Sequence, residues 1–157
     1  LLIMFLVEQM KGKLDNMKFS NIKKIRKEFN LTQKEIASIL NVDRTTYTGW
    51  ETGKNTIPLA KLLDFSNYFK YSIDYILGTS KNNNFTTQLK IDLVTIGKNL
   101  KKIRKKFNLT QNDICKFLKI AKSTYSSYET GKILIQTQYI YKIAKKFNFS
   151  INYILKK

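Results

Sequence analysis

The sequence predicts an all-α protein made of two tandem five-helix domains. The first observation is a repeat: residues 32–54, TQKEIASILNVDRTTYTGWETGK, return 78 residues later as residues 110–132, TQNDICKFLKIAKSTYSSYETGK. The second is the helical spacing of apolar residues before and after each stretch. The third is composition, because one Pro in 157 residues and 43% hydrophobic residues are typical of a globular, helical chain.

The repeat extends well beyond these stretches. With a fixed offset of 78 and no gap, residues 22–77 align with residues 100–155 and share 25 identities in 56 positions. Ten apolar residues recur, so both copies are expected to build the same core; in the first copy they are Ile25, Phe29, Leu31, Ile36, Leu40, Ile57, Phe69, Ile73, Ile76 and Leu77. Only two repeats are present and each looks complete, which argues against a solenoid.

The chain divides into four predicted segments. A first domain at 17–78 and a second at 90–157 are joined by a linker at 79–89, which is polar, aperiodic and typical of a flexible connection. Residues 1–16 form an N-terminal extension whose apolar run, LLIMFLV, is too short to cross a membrane. Two interpretations stay open for it: a mis-annotated start before Met17, or a short helix that docks on the first domain.

Capping residues place the first two helices of the first copy. Helix one begins at Asn21, follows an apolar face, and stops near Asn30. Thr32, with Glu35 three residues later, is the capping-box signature of a helix start. Helix two therefore follows directly and runs to about Leu40.

The next segment is a tight turn and a third helix. Residues 41–42 form the turn, Asp43 is a good N-cap, and Gly53 can adopt the positive φ that ends a helix, as Gly131 can in the second copy. Two short helices joined by such a turn make a helix-turn-helix.

Two further helices complete each copy. Pro58 suits the first turn of helix four, where a missing N–H is harmless, and Ser72 caps helix five. In the second copy, apolar spacing predicts that helix one begins early, near Lys90. Gly97 weakens that helix by about 1 kcal/mol.

The charge balance points to a polyanionic partner. The formal net charge is +18, from 29 basic and 11 acidic residues. Residues 17–78 carry ten basic and six acidic side chains, whereas residues 79–157 carry seventeen and three, so the second half should dominate non-specific attraction to phosphate. A genome rich in A and T would also favour lysine, which outnumbers arginine 26 to 3.

Composition argues against enzymatic chemistry. The sequence has no His, a single Cys, no Gly-rich phosphate loop and no carboxylates at metal-ligand spacing. We therefore expect no enzyme activity, no cofactor, no metal and no small-molecule ligand. Cys115 stands where the first copy has Ala37, so it is read as a buried apolar residue of a protein in the reducing cytoplasm, associated with the nucleoid and not with a membrane.

The motifs that open and close each copy resemble a known family, the Cro/repressor-type, XRE-like helix-turn-helix domain with a lambda-repressor-like fold. The resemblance rests on Leu-Thr-Gln at the opening, Glu-x-Gly-Lys at the close and a final Ser-x-x-Tyr-Ile-Leu. It covers residues 21–78 and 99–156, and it implies binding to double-stranded DNA.

The resemblance also implies a set of DNA-binding residues. In such domains the start of helix two meets the DNA backbone and the start of helix three reads base edges. The positions that match are Gln33, Arg44, Thr45, Thr48 and Lys54 in the first copy and Gln111, Lys122, Ser123, Ser126 and Lys132 in the second. Arg44 can fork onto a guanine, whereas Lys122 offers a point charge, so the first domain is expected to be the sharper reader.

Other matching residues are expected to be structural. Arg26 with Glu51, and Arg104 with Glu129, match an ion pair that in this family bridges helix one to the end of helix three. Losing one member would leave a poorly solvated charge unpaired.

Two functions remain open at this stage. The favoured one is a bacterial or phage transcriptional repressor whose tandem recognition helices read two half-sites about one helical turn, roughly 34 Å, apart, in direct or inverted order. The alternative is an interaction protein in which one copy serves dimerisation or non-specific phosphate anchoring. A homodimer is compatible with either function.

Overall fold

The computed structural model describes residues 20–156, and the expectations for residues 1–16 lie outside this range. The described residues form helices and contain no strand. The all-α prediction is therefore confirmed for them. The helices are α1 (Ser20–Glu28), α2 (Gln33–Ile39), α3 (Arg44–Glu51), α4 (Leu59–Phe69), α5 (Ile73–Ile76), α6 (Leu93–Lys106), α7 (Gln111–Leu118), α8 (Lys122–Glu129), α9 (Thr137–Phe147) and α10 (Ile151–Leu155).

The predicted caps set the helix starts. The Thr32 hydroxyl accepts from the Glu35 N–H at 3.2 Å and the Glu35 carboxylate accepts from the Thr32 N–H at 2.7 Å, which completes a capping box. Thr110 makes the same box with Asp113 at α7. Asp43 caps α3 through the Thr46 N–H.

Three helix starts differ from the sequence prediction. Helix α1 begins at Ser20, one residue before Asn21. Helix α6 begins at Leu93, three residues after Lys90, because the Asp92 carboxylate accepts from the Thr95 N–H and fixes the first turn there. Pro58 is the N-cap of α4 and lies just before the first turn.

Most of the recurring apolar residues are buried, whereas Leu31, Leu109 and Phe147 are partly buried and one pair is exposed. Ile25, Ile36 and Ile73 are fully buried, as expected. Phe29 is 47% exposed and its counterpart Phe107 is 39% exposed. Both residues lie at the end of their helix and pack on an aromatic ring of the fourth helix of their domain. The ring centroids are 4.9 Å apart for Phe29 and Phe69 and 4.8 Å apart for Phe107 and Phe147.

The connection between the domains is packed against α4, in contrast to the free linker expected from composition. The Asn67 side chain donates to the Leu89 carbonyl at 2.8 Å and accepts from the Leu89 N–H at 3.0 Å. The Asn83 side chain accepts from the Ser72 N–H at 2.8 Å and donates to the Lys70 carbonyl at 3.0 Å. Asn83, a polar residue of the connection, thus satisfies backbone groups at the corner between α4 and α5. Asn67 of α4 does the same for the backbone of Leu89.

A forked ion pair joins three elements in each domain. Arg26 places Nε 2.7 Å from Glu51 Oε2 and Nη2 2.8 Å from Glu51 Oε1, while Nη1 donates to the Leu31 carbonyl at 2.8 Å. Arg104 and Glu129 repeat this geometry at 2.6 and 2.9 Å. The side chains of both glutamates are 2% exposed. Helix α1, the loop after it and the end of α3 are therefore held by one guanidinium.

Gly97 permits a close crossing of α6 and α8. A Cβ atom at residue 97 would lie 2.5 Å from the Glu129 carbonyl oxygen and 2.6 Å from that of Tyr128. The residue that weakens α6 as an isolated helix is the one that lets it approach the end of α8.

Gly97→Ala is expected to destabilise the protein by about 1–3 kcal/mol, because the new methyl group meets backbone atoms that cannot rotate away. Denaturant unfolding of this variant should be compared with Lys98→Ala, which alters the exposed neighbour on the same helix. A Gly97→Ala protein as stable as the control would contradict the close crossing.

Acid is expected to weaken the two ion pairs. Burial is the largest single influence on Glu51 and Glu129 and raises the pKa of each. The hydrogen bonds from the arginine and from neighbouring Tyr and Gln side chains, together with the charge of the arginine, outweigh burial in sum, so each pKa lies below its usual range. A carboxyl group with a lowered folded-state pKa contributes stability that is full above its unfolded value, about 4.3, and is lost as the pH falls through the folded value.

Unfolding free energies measured between pH 7 and pH 3 should therefore fall towards acid. Glu129→Gln should cost about 3 kcal/mol at pH 7, because Arg104 loses its charged partner, and should show a smaller acid-dependent loss than the native chain. An equal pH dependence in the native and substituted chains would contradict this role.

Candidate nucleic-acid interface

The turn between α2 and α3 is built from one left-handed residue. Asn41 adopts φ 51°, and the Val42 N–H then donates to the Ala37 carbonyl at 2.9 Å. In the second domain Lys119 takes the same conformation at φ 57°, and the Ile120 N–H donates to the Cys115 carbonyl at 3.1 Å. Both domains therefore present their third helix through the same turn.

Helix α3 divides cleanly between a buried and an exposed side. Tyr47 is fully buried and Trp50 is 4% exposed, so these aromatic residues anchor the helix in the core. Arg44 and Thr45, at its N-terminal end, are exposed. The anchored side fixes the rotation of the helix, and the opposite side is left free for a ligand.

Gln33 is held inside the first domain. Its Nε2 donates to Glu51 Oε1 at 3.3 Å, and its Oε1 lies 3.2 Å from the Thr48 hydroxyl. The Thr48 hydroxyl also lies 2.8 Å from the Arg44 carbonyl, so its single proton can serve only one of these acceptors at a time. The Arg26–Glu51 pair is thereby linked through Gln33 to the exposed surface of α3.

The second domain repeats the frame with fewer side-chain links. Gln111 Nε2 donates to Glu129 Oε2 at 2.9 Å. Lys122 and Ser123 are exposed, while Ser126, the counterpart of Thr48, is partly buried and makes no side-chain hydrogen bond within residues 20–156. Helix α8 also begins without a side-chain cap, because Ala121 stands where α3 has Asp43.

A basic residue follows each recognition helix. Gly53 and Gly131 adopt φ 77° and 69°, and the chain turns away from the helix there. Lys54 and Lys132, which come next, are exposed. The structure thus places a cation just beyond the C-terminal end of each recognition helix.

The surface of α3 also includes residues that the sequence interpretation omitted. An open hollow of about 370 Å³ is lined by Arg44, Thr45, Thr48, Gly49, Thr52, Lys54 and Asn55. Thr52 lies four residues after Thr48, so helical spacing alone could have found it. Asn55 lies in the loop after α3, and its N–H donates to the Gly49 carbonyl at 3.0 Å. No sequence signal marks that contact.

The residues of the basic run 101–106, KKIRKK, have different environments in the structure. Ile103 is buried and Arg104 holds Glu129, whereas the four lysines are exposed. The Lys106 ammonium lies 5.1 Å from the centre of the Phe149 ring. The positive potential of the second domain therefore comes in part from this face of α6.

Other kinds of site were sought in the described residues. Cys115 is buried, and burial raises the pKa of its thiol. Residues 20–156 contain no group of three or more His, Cys, Asp or Glu side chains placed to hold a metal ion. Within the same range, no helix combines the length and apolar character needed to cross a membrane.

Comparison with known proteins finds two relatives named as transcriptional regulators and one named as an antitoxin. The chain is 37% identical over 62 residues to the uncharacterized HTH-type transcriptional regulator YqaE of Bacillus subtilis, covering 40% of this chain and 53% of that protein. It is 40% identical over 55 residues to the antitoxin PezA of Streptococcus pneumoniae, covering 35% of each. It is 32% identical over 57 residues to the uncharacterized HTH-type transcriptional regulator YobD of Bacillus subtilis, covering 36% of this chain and 51% of that protein.

The chain therefore spans from about a third to about half of the length of these relatives. No solved structure gives a significant match. The family profile described as helix-turn-helix matches twice, at residues 22–76 and 100–154, which together make up most of the chain and coincide with the two five-helix units. The chain thus belongs to the XRE-type helix-turn-helix family, with two family domains in tandem.

Proposed function

We propose that the protein binds double-stranded DNA in a sequence-specific manner and regulates transcription, with α3 and α8 as its recognition helices. The observation that carries this proposal is the exposed N-terminal end of α3. Arg44 and Thr45 are free there while Tyr47 and Trp50 hold the helix from below. A rigid helix with free donors at its first turn fits the major groove, where such side chains reach base edges.

The remaining site residues support positioning on the duplex. Lys54 and Lys132 are exposed just past the recognition helices and are suited to flanking phosphates. Gln33 and Gln111, at the starts of α2 and α7, are suited to the DNA backbone. Their bonds to Glu51 and Glu129 orient their side-chain amides, and Gln33 also accepts from the Thr48 hydroxyl. Ser123 and Ser126 take the places of Thr45 and Thr48 in the second reader.

We infer that the protein acts as a repressor in a bacterium or phage. Two of the relatives are named as transcriptional regulators of a bacterium, which supports a regulatory role and such an origin. Its two readers are unequal. Arg44 offers a planar fork that matches O6 and N7 of guanine, whereas Lys122 offers a compact charge. Each chain would then contact two different half-sites, and tethering makes the second contact intramolecular.

A second candidate is phosphate anchoring by the second domain. The observations that favour it are the exposed lysines of α6, the uncapped start of α8 and the net charge of residues 79–157. In this case the first domain alone reads bases, and the second raises affinity equally for all sequences.

Selection from random duplex DNA tests the proposal as a whole. The full chain should enrich one motif, and the mass of the complex gives the number of chains bound to each duplex. Recovery of unselected sequence after repeated rounds would contradict sequence-specific binding.

Single substitutions separate reading from anchoring. Arg44→Ala should weaken binding about 10- to 100-fold for the selected site and less for sites altered at the contacted base pair. Lys122→Ala combined with Ser123→Ala should do the same at the other half-site if α8 reads bases, and should weaken all sequences equally if it anchors. Lys81→Ala, in the exposed part of the connection, is the matched control. A loss of equal size for Lys81→Ala would contradict a role confined to the recognition helices.

A further inference from the structure

The two domains meet through their shortest helices, α5 and α10. The Asp74 carboxylate of α5 accepts from the Ser150 hydroxyl at 2.6 Å, the Ile151 N–H at 2.8 Å and the Asn152 N–H at 3.1 Å. Asp74 is 8% exposed. A carboxylate with this many donors is held firmly between the domains, because bonds to a charged acceptor are stronger than neutral ones.

The contact is reciprocal across the repeat. The Ile73 N–H of α5 donates to Asn152 Oδ1 of α10 at 3.1 Å. Shifting each partner by the repeat offset of 78 turns this pair into Ile151 and Asp74, which is the bond described above. When residue i contacts j and the equivalent of j contacts the equivalent of i, the interface is two-fold and not head-to-tail.

A second contact region has the same symmetry. A groove of about 280 Å³ is lined by residues 56–60 of the first domain and residues 134–138 of the second, and these ranges are equivalent under the same offset. At this groove the buried Thr137 hydroxyl donates to the Ile57 carbonyl at 2.6 Å. The loops after both recognition helices thus meet near the same axis.

The polar residue at the centre differs between the copies. The first has Asp74 where the second has Asn152. Pairing two first domains through this face would place two carboxylates against each other in a nearly dry interface, which disfavours their charged forms. Pairing two second domains would lack the charge-assisted bonds. Only the mixed pair gives the helix start of each domain a side-chain acceptor from the other while bringing a single charge to the contact.

We propose that this face is a heterotypic, pseudo-two-fold interface that pairs the two domains of one chain and sets their recognition helices for an inverted repeat with unequal halves. The packed connection supports pairing within the chain, since Asn83 and Leu89 hold it against the first domain. The inverted order rests on the proposed function, because the symmetry of an operator mirrors that of its reader.

Hydrogen exchange on the free protein tests the interface. Asn152→Asp brings a second carboxylate to the same contact between the domains and should speed exchange about tenfold at the backbone N–H groups of Ile73 and Ile151, with little change in α3. Exchanging the partners, in Asp74→Asn with Asn152→Asp, should recover most of the protection. Asp64→Asn, which removes an exposed carboxylate of α4, is the control. Unchanged exchange in Asn152→Asp, or no recovery in the double variant, would overturn the heterotypic interface.

Sedimentation over a range of concentrations distinguishes pairing within one chain from pairing between chains. The inference predicts a monomer throughout, and a dimer whose domains pair between chains would overturn it.

The DNA arm uses the two half-sites found by selection, placed in inverted, direct and everted order at equal spacing. The inverted duplex should bind at least about tenfold more tightly than the others, with one chain per duplex. Equal affinity for direct order would overturn this inference and leave the proposed function standing. If the protein binds none of the duplexes while the N–H groups of Ile73 and Ile151 stay protected from exchange, the proposed function is wrong and the inferred interface still stands.

Discussion

The buried arginine fork fixes the orientation of α3 and of α8 within their domains. In the first domain all three guanidinium nitrogens of Arg26 donate to protein acceptors: two donate to Glu51 at the end of α3 and one to the carbonyl of Leu31. Apolar packing is tolerant of small rotations, whereas two parallel bonds to a carboxylate are not. The helix that carries Arg44 therefore cannot turn about its axis without breaking bonds in a nearly dry site. A lysine, with one ammonium group, could not hold both acceptors in this geometry.

The duplication has kept the frame and changed the surface. The ion pair, the capping threonines and the helix-ending glycines occur in both domains with matching geometry. Exposed residues at the start of the third helix differ, and so does its cap, where Asp43 is replaced by Ala121. The residues that make the ion pair and end the third helix are identical in both copies, whereas the exposed residues at the start of the third helix are not. Such a pattern is expected when each domain meets a different stretch of ligand.

Local chemistry made most of the fold predictable, and long-range contacts did not. Caps at Thr32 and Ser72 are decided within three residues, so the sequence alone places those helix starts. The sequence gives no sign that Asp74 contacts the other domain, because its donors there lie 76 to 78 residues away. The docking of Leu89 on Asn67 was hidden for the same reason. Gly97 shows a related failure. Helix propensity predicts that glycine weakens α6, but the close approach that requires a glycine there depends on α8, a different helix.

The placement of two rare residues gives each domain its own reporter. Trp50 is the only tryptophan and Cys115 the only cysteine of the chain, and they are 4% and 7% exposed. Trp50 belongs to the first domain and Cys115 to the second. Indole fluorescence therefore follows the opening of one domain, while the rate of thiol alkylation follows the other. The order in which the halves unfold, and whether one waits for the other, can thus be observed in the native sequence without any added label.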